Sequence, residues 1–313
     1  MRAFIFPGQG SQSVGMGRAL AENFAAARDV FEEVDEALKQ KLSRLMWEGP
    51  DSELVLTENA QPAIMTASLA VMRVLECEAG LSFSRHVRLV AGHSLGEYSA
   101  LAASGAFALA DAARLLRTRG RAMQDAVAQG QGAMSALLGI ELADAEAAAV
   151  QAAAQGGVCV VANDNAPGQV VISGTNDAVE RAGRFAKEKG AKRVIPLAVS
   201  APFHCPLMQP AAEVMREALG VVAIRPPAVP LVANVTAAES IEPDTIRRLL
   251  VEQITSRVRW RESVLAFRHL GVDTTVESGG NKVLTGMVKR IDRDLATVSL
   301  DAPADIESFE KTL

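Results

Sequence analysis

The sequence predicts an α/β protein: an α/β-hydrolase-like large domain on a mostly parallel sheet, with a ferredoxin-like small domain inserted into it. Three observations carry that prediction. Short runs of branched apolar residues alternate with helix-forming stretches, the pattern of a parallel sheet covered by helices on its faces. Midway, the order becomes β-α-β-β-α-β, that of a ferredoxin-like unit. The 313 residues, 49% of them hydrophobic, suffice for one large core and a second, smaller domain.

Taken in order, "AFIF" reads as a short buried strand, and "PGQGSQSVGMG" as a glycine-rich loop leading into a helix from about Arg18 to Lys39. The loop lacks the G-x-G-x-x-G spacing, and no Lys-Ser/Thr follows it, so a nucleotide site is a weak reading. An amphipathic helix is expected from Gln61 to Leu75, then a strand at "VRLVAG" and helices at "EYSALAASG" and "DAARLLRTRGRAMQ". "GAMSALLGI" reads as strand, "ELADAEAAAVQAAAQ" as helix, "VCVVAN" and "QVVISG" as strands joined by the turn "DNAPG", "NDAVERAGRFAKEKG" as helix and "KRVIPLAV" as strand. The small domain is therefore placed at residues 128–198, between residues 1–127 and 199–313 of the large one. The large domain resumes with "PLVANV", two helices, "DTTVES" and a final helix from Lys282.

Composition narrows the function. Charged residues make up 22% of the chain and the net charge is −5, so no basic field favours nucleic acid. Cys77, Cys159 and Cys205 are distant and odd in number, which argues against a disulfide framework and for a reducing, cytoplasmic address. "MRAFIFPGQG" is too short in its apolar run for a signal peptide, and no segment reaches the ~18 apolar residues of a membrane span. His86, His93, His204 and His269 match no zinc spacing, so no metal is expected.

"RLVAGHSLGEYSAL" holds Ser94 between Gly92 and Gly96, where a strand gives way to a helix. G-x-S-x-G in that context is the pattern of a nucleophile elbow, which lifts the hydroxyl above the sheet and turns the next backbone N–H, that of Leu95, toward the same space. The competing reading is a tight turn with an incidental hydroxyl. A catalytic serine needs a base. His93 should point away from Ser94 in an elbow and reads as packing; His86 and His269 read as solvated or structural. His204, in "SAPFHCPL", follows the serine in the order of α/β-hydrolase-like sites and is the expected base. Cys205 beside it reads as packing, and no Asp or Glu is marked out to orient the imidazole.

In "DAARLLRTRGRAMQ", Ala112, Leu115, Leu116, Ala122 and Met123 form an apolar stripe, with Arg114, Arg117 and Arg121 expected on the opposite, solvated side. Arg119 falls in the stripe. A buried arginine needs a partner. It is either half of a buried ion pair or a bidentate clamp for a carboxylate that arrives with the substrate.

"FPGQGSQ", "GHSLGEYSAL", "RTRGRAMQ", "NAPGQVVISG", "PFHCPLM" and "NKVLTG", in this order over essentially the whole chain, resemble the malonyl-CoA:acyl carrier protein transacylases of fatty-acid synthesis. The resemblance implies that Ser94 carries the malonyl group as an ester, that His204 is general base and acid, and that Arg119 binds the free carboxylate. It implies an oxyanion hole from the N–H groups of Gln9 and Leu95, and an imidazole oriented by the Gln253 carbonyl. Malonyl-CoA and acyl carrier protein would be the partners, with no cofactor beyond the coenzyme A thioester. Phe203 resembles the residue found in malonyl-selective acyltransferase domains of polyketide synthases, where methylmalonyl-selective ones carry Ser, although some free-standing malonyl transferases also carry Ser. One departure stands out: Gly279-Gly280-Asn281 replaces the Gly-Pro-Gly that relatives often show. The rival readings are a serine esterase or thioesterase, which has no need of Arg119, and a non-catalytic carrier-docking subunit. For docking an acidic carrier, "KEKGAKR" and the arginines from Arg257 to Arg261 are equal candidates, and either cluster reads as well as a solvated face.

Overall fold

The computed structural model describes residues 1–128, 130–199 and 201–313. In chain order the strands are β1 (Arg2–Phe6), β2 (Val87–Gly92), β3 (Gly132–Leu138), β4 (Cys159–Ala166), β5 (Gln169–Thr175), β6 (Arg193–Pro196), β7 (Leu231–Val232), β8 (Glu239–Ser240), β9 (Thr274–Ser278) and β10 (Ala296–Leu300). They form a sheet of order β10-β9-β1-β2-β7-β8 and another of order β4-β5-β3-β6. The first is parallel except for β8, which runs against β7. The second is antiparallel throughout. The mixed α/β class and the β-α-β-β-α-β order of the middle segment agree with the sequence reading.

The central strands β1 and β2 are buried nearly from end to end, as expected of parallel strands covered on both faces. Their register sets the site: Phe6 pairs with Gly92, so both strands release their loops at the same carboxyl edge. Ligands of open α/β sheets bind at that edge. The His93 N–H donates to the Phe6 carbonyl at 2.9 Å, which holds the glycine-rich loop beside the serine turn.

Several elements differ from the sequence reading. The helix expected from Arg18 to Lys39 is broken at Phe24, whose extended backbone (φ −125°, ψ 124°) separates Arg18–Asn23 from Ala25–Leu38. Asn23 turns its amide back onto the Ala19 carbonyl at that break, the competition with helix bonds typical of Asn. The second helix is longer, Thr57–Cys77, and is not amphipathic: Asn59 through Met72 are all buried, because helices 25–38, 96–103 and 109–125 pack around it. The hairpin between β4 and β5 turns at Pro167–Gly168 alone, with Gly168 at φ 68°. The helix Gln209–Gly220, the edge strands β8 and β10, and the last helix Pro303–Glu310 lie beyond what the sequence reading anticipated.

β4 is tied by backbone to the segment that precedes helix Trp260–His269. Val258, just before helix Trp260–His269, donates to the Ala162 carbonyl at 2.8 Å and accepts from Asp164 N–H at 3.0 Å. Arg261 Nε meets the fully buried Asp164 carboxylate at 2.9 Å in the same place. This seam carries β4 up to the serine turn.

Candidate active site

The turn at Ser94 is dictated by sterics. A Cβ on Gly92 would collide with the Gly96 backbone, and one on Gly96 with the Phe6 carbonyl. Strand and helix can approach only because both positions lack side chains, and Ser94 is forced to φ 53°, a region that non-glycine residues seldom occupy. His204 is likewise at φ 56°.

These two backbones aim their side chains at each other, with Ser94 Oγ 2.8 Å from His204 Nε2. The other ring nitrogen, Nδ1, lies 2.9 Å from the Gln253 carbonyl. A carbonyl only accepts, so Nδ1 carries the proton and Nε2 is free to accept from the serine hydroxyl. The group bonded to the ring on that side is a main-chain oxygen, that of the Gln253 the resemblance implied, and not an acidic side chain. Burial, then the nearby Arg119 guanidinium, push the His204 imidazole down to about 3, against the opposing effect of the Gln253 carbonyl. It is therefore neutral at working pH and can take a proton.

Arg119 is 1% exposed and sits at the centre of helix Leu109–Asp125. At Gly120 a Cβ would lie 2.6 Å from the Thr57 carbonyl oxygen, so the two helices touch through backbone, and Gln61 comes within reach. Arg119 donates through Nη1 to Gln61 Oε1 at 2.8 Å and through Nη2 to Gln253 Oε1 at 2.8 Å and Ser94 Oγ at 3.1 Å. Its guanidinium lies 5.7 Å from the Tyr98 ring centroid. Among the described residues no carboxylate forms an ion pair with it, so it is not half of a buried salt bridge. Arg117, expected on the solvated side, is buried against Glu58, because helix 57–77 begins over that face.

Gln9 and Leu95 border the same pocket as Ser94, His204, Arg119 and Phe203; its volume is about 450 Å³. Among the described residues, neither the Gln9 nor the Leu95 backbone N–H has a hydrogen-bond partner, which leaves two donors beside the hydroxyl. His93 turns away, as the elbow geometry demands. Its Nε2 meets Asn165 Oδ1 on β4 at 2.8 Å, its ring packs 5.9 Å from that of Trp260, and burial lowers its pKa. Cys205 is buried, with Sγ 3.0 Å from the Pro202 carbonyl. At the departure loop Gly279, Gly280, Asn281 and Lys282 all have positive φ, and Asn281 donates to the Ser11 carbonyl at 3.1 Å, tying the loop to the glycine-rich segment.

Three residues escaped the sequence reading. Gln61 carries one end of Arg119, Asn234 accepts the Ser94 N–H at 2.8 Å, and the buried Glu97 accepts from Asn234 N–H. Asn234 had a signal: a polar residue just past a parallel strand, where sites gather. Glu97 lay inside the serine motif, but nothing in its spacing shows that it faces the core.

A family model for the acyl transferase domain matches residues 3–298. The malonyl CoA-acyl carrier protein transacylase of Bacillus subtilis strain 168 is 46% identical over 311 residues, covering 99% of this chain and 96% of the relative. The chain belongs to the malonyl CoA-acyl carrier protein transacylases. Among solved members of the acyl transferase family, the acyl-carrier-protein-S-malonyltransferase of Bartonella henselae is 52% identical with a TM-score of 0.97, over 99% of this chain and 98% of that one. A malonyl-transacylase solved in complex with a type II PKS acyl-carrier protein is 40% identical with a TM-score of 0.96, over 100% of this chain and 99% of that one. Family membership makes the protein an acyltransferase. Among the described residues no helix is long and apolar enough to cross a membrane.

Proposed function

We propose that the protein transfers the malonyl group from malonyl-CoA to the phosphopantetheine thiol of acyl carrier protein, supplying fatty-acid chain elongation in the cytoplasm. The observation that carries this reading is the convergence on Ser94 Oγ of a neutral imidazole at 2.8 Å and, at 3.1 Å, an arginine that forms no ion pair among the described residues. Ser94 attacks the thioester carbonyl while its proton passes to His204 Nε2, and the oxyanion forms against the N–H groups of Gln9 and Leu95. The C–S bond breaks, the CoA sulfur takes the proton back from His204, and a malonyl-serine ester remains. The carrier thiol then gives its proton to His204 and attacks the ester, and Ser94 leaves as the alcohol. Arg119 holds the malonyl carboxylate throughout. No redox or metal step is needed.

Arg119 favours this reading over an esterase or thioesterase, whose neutral acyl groups give a buried cation nothing to bind. Residues 128–198 are proposed as the small domain, with 1–127 and 199–313 as the catalytic one. Side-chain pairing separates the two basic clusters. Arg257, Arg259 and Arg261 are engaged by Glu146, Glu262 and Asp164. Lys187, Lys189, Lys192 and Arg193 are exposed, and among the described residues their side chains have no partner, so this face is proposed to meet an acidic carrier.

Intact mass spectrometry tests the proposal. Malonyl-CoA should add one malonyl group, and acyl carrier protein should remove it and gain it. An adduct lost to water at the same rate without carrier would favour the thioesterase.

A further inference from the structure

The site contains one carboxylate that the mechanism above does not use. Glu97 is 1% exposed, in the first turn of helix Gly96–Ala103, two residues beyond Leu95. Its Oε1 accepts from the Asn234 backbone N–H at 2.5 Å, and its Oε2 accepts from Gln253 Nε2. Both oxygens act as acceptors, the pattern of an ionised carboxylate, and a helix N-terminus favours that charge.

The two residues it holds are the ones that arrange the site. Gln253 receives His204 Nδ1–H on its backbone oxygen at 2.9 Å, accepts from Arg119 Nη2 on its side-chain oxygen at 2.8 Å, and donates to the Ser94 carbonyl at 2.9 Å. Asn234 accepts the Ser94 N–H at 2.8 Å and donates to the Gly92 carbonyl at 2.7 Å, gripping the elbow on both sides of the nucleophile. Among the described residues, the polar anchors of Ser94 other than His204, Arg119 and the Glu97 backbone N–H, which donates to the Ser94 carbonyl at 3.0 Å, pass through one of these two amides.

Charge gives the arrangement a second purpose. A carboxylate directly on Arg119 would balance it but would also occupy it, leaving the substrate carboxylate to compete. Placing the negative charge one amide away supplies the balance through Gln253 and leaves the guanidinium available. Burial raises the Glu97 carboxyl to about 8 even against the hydrogen bonds from Asn234 and Gln253 and the charge of Arg119, which favour the ionised form.

We propose that Glu97 is a positioning residue for acyl transfer, its carboxylate holding Gln253 and Asn234 so that the Ser94 hydroxyl and the His204 imidazole meet in register. The proposal rests on Ser94 and His204 acting as nucleophile and base. Arg119 keeps an independent anchor in Gln61, so losing Glu97 should impair the chemical step more than the binding of malonyl-CoA.

The test compares Glu97→Gln with Glu97→Asp in malonyl transfer, with rates normalised to folded protein by circular dichroism. In the Gln variant either orientation of the amide sets an NH2 group against one of the two donors. In the Asp variant the charge remains but the reach is one methylene short. Positioning by the carboxylate predicts the activity order Glu, Asp, Gln, with kcat of the Gln variant lowered ~30-fold or more, the KM for malonyl-CoA within about threefold, and the malonyl-to-acetyl preference unchanged. A packing role predicts the reverse, with the isosteric Gln near wild type and Asp worst, and that result would overturn the proposal. Should the Gln variant not fold, Asp decides: kcat lowered about tenfold at unchanged KM and wild-type melting temperature supports it, while wild-type kcat, or a kcat loss matched by a lowered melting temperature as packing predicts, overturns it. Failure of the wild-type protein to form a malonyl adduct would instead overturn the reading of Ser94 on which the proposal stands.

Discussion

The two sides of the pocket, the proposed nucleophile side at Ser94 and the proposed carboxylate side at Arg119, are built by opposite means. Ser94 is placed by backbone: two glycines without which strand and helix would collide, a residue forced to φ 53°, and a neighbouring N–H left free. Arg119 is placed by side chains: an ordinary helical residue, 1% exposed, suspended between the amides of Gln61 and Gln253. A site fixed by backbone can be read from a short motif, because glycine and turn requirements are local. A site fixed by side chains cannot, because its partners come from helices far apart in the chain. The contrast also predicts how each side fails: the first all at once, the second in proportion to the charge or volume removed.

The largest effect should come from the nucleophile side. Ser94→Ala leaves the imidazole and the arginine in place but removes the atom proposed to bond the malonyl group. Turnover should fall by ~10⁴ or more, with no adduct detectable by mass. His204→Ala should also block transfer while the fold, read by circular dichroism, persists. A labelled adduct on the Ser94 variant would break the comparison at its first term.

Arg119→Ala should show the graded failure. Malonyl transfer should lose ~2–5 kcal/mol through the missing desolvated charge pair, while acetyl transfer, which has no carboxylate to bind, falls much less or rises. Competition between malonyl-CoA and acetyl-CoA measures the difference. Equal losses on both, with a lowered melting temperature, would mean that Arg119 serves the fold alone.

The two sides also meet electrostatically, and pH exposes the coupling. The His204 pKa is depressed to about 3, chiefly by burial and then by Arg119. With the folded value below the unfolded one, the neutral imidazole's contribution to stability is present above the unfolded value of about 6.5 and is lost as pH falls toward 3. The acid limb that belongs to His204 should lie far below neutrality, whereas Glu97, raised to about 8, would set a separate limb nearer neutrality if its carboxylate positions the site. In Arg119→Ala, one cause of the depression is gone, so the limb of acetyl transfer should move upward. A limb that stays in place would mean that Arg119 contributes nothing to the depression.

The sequence shows the same division. The strands other than β8 and β10, the β-α-β-β-α-β order of the middle segment, the turn at Ser94 and the odd position of Arg119 are legible, because each rests on local pattern: branched apolar runs, glycine spacing, one charge in an apolar stripe. Helix 57–77 was misjudged as amphipathic because its Thr, Ser, Asn and Gln residues read as a polar face. Several of them are in fact held inside, as when Gln61 meets Arg119 and Ser68 bonds the Ser278 carbonyl. Arg117 was misplaced for a related reason, since only the fold shows which element covers its face. Gln253 was reached by resemblance and not by physics: an orienting carbonyl has no residue type of its own. β10 and the last helix were missed because "ATVSL" and "PADIESFE" are short, and an edge strand needs little apolar content.

The smallest expected effect belongs to neither side but to the wall between them. Phe203 is 8% exposed, directly precedes His204, and borders the pocket together with Met134, Val171 and Leu197. In the proposed reaction an aromatic ring there would fill the volume that a methyl branch on the malonyl C2 needs. One methyl in a tight apolar pocket discriminates by only ~1–3 kcal/mol, so Phe203→Ser should raise methylmalonyl relative to malonyl transfer by tens-fold at most. Arg119 would still require the carboxylate, so acetyl-CoA should gain nothing from the change. Direct competition between malonyl-CoA and methylmalonyl-CoA on the variant reads the ratio. If the ratio holds while the overall rate drops, Phe203 supports the imidazole by packing, and the wall joins the nucleophile side, where geometry rather than volume decides.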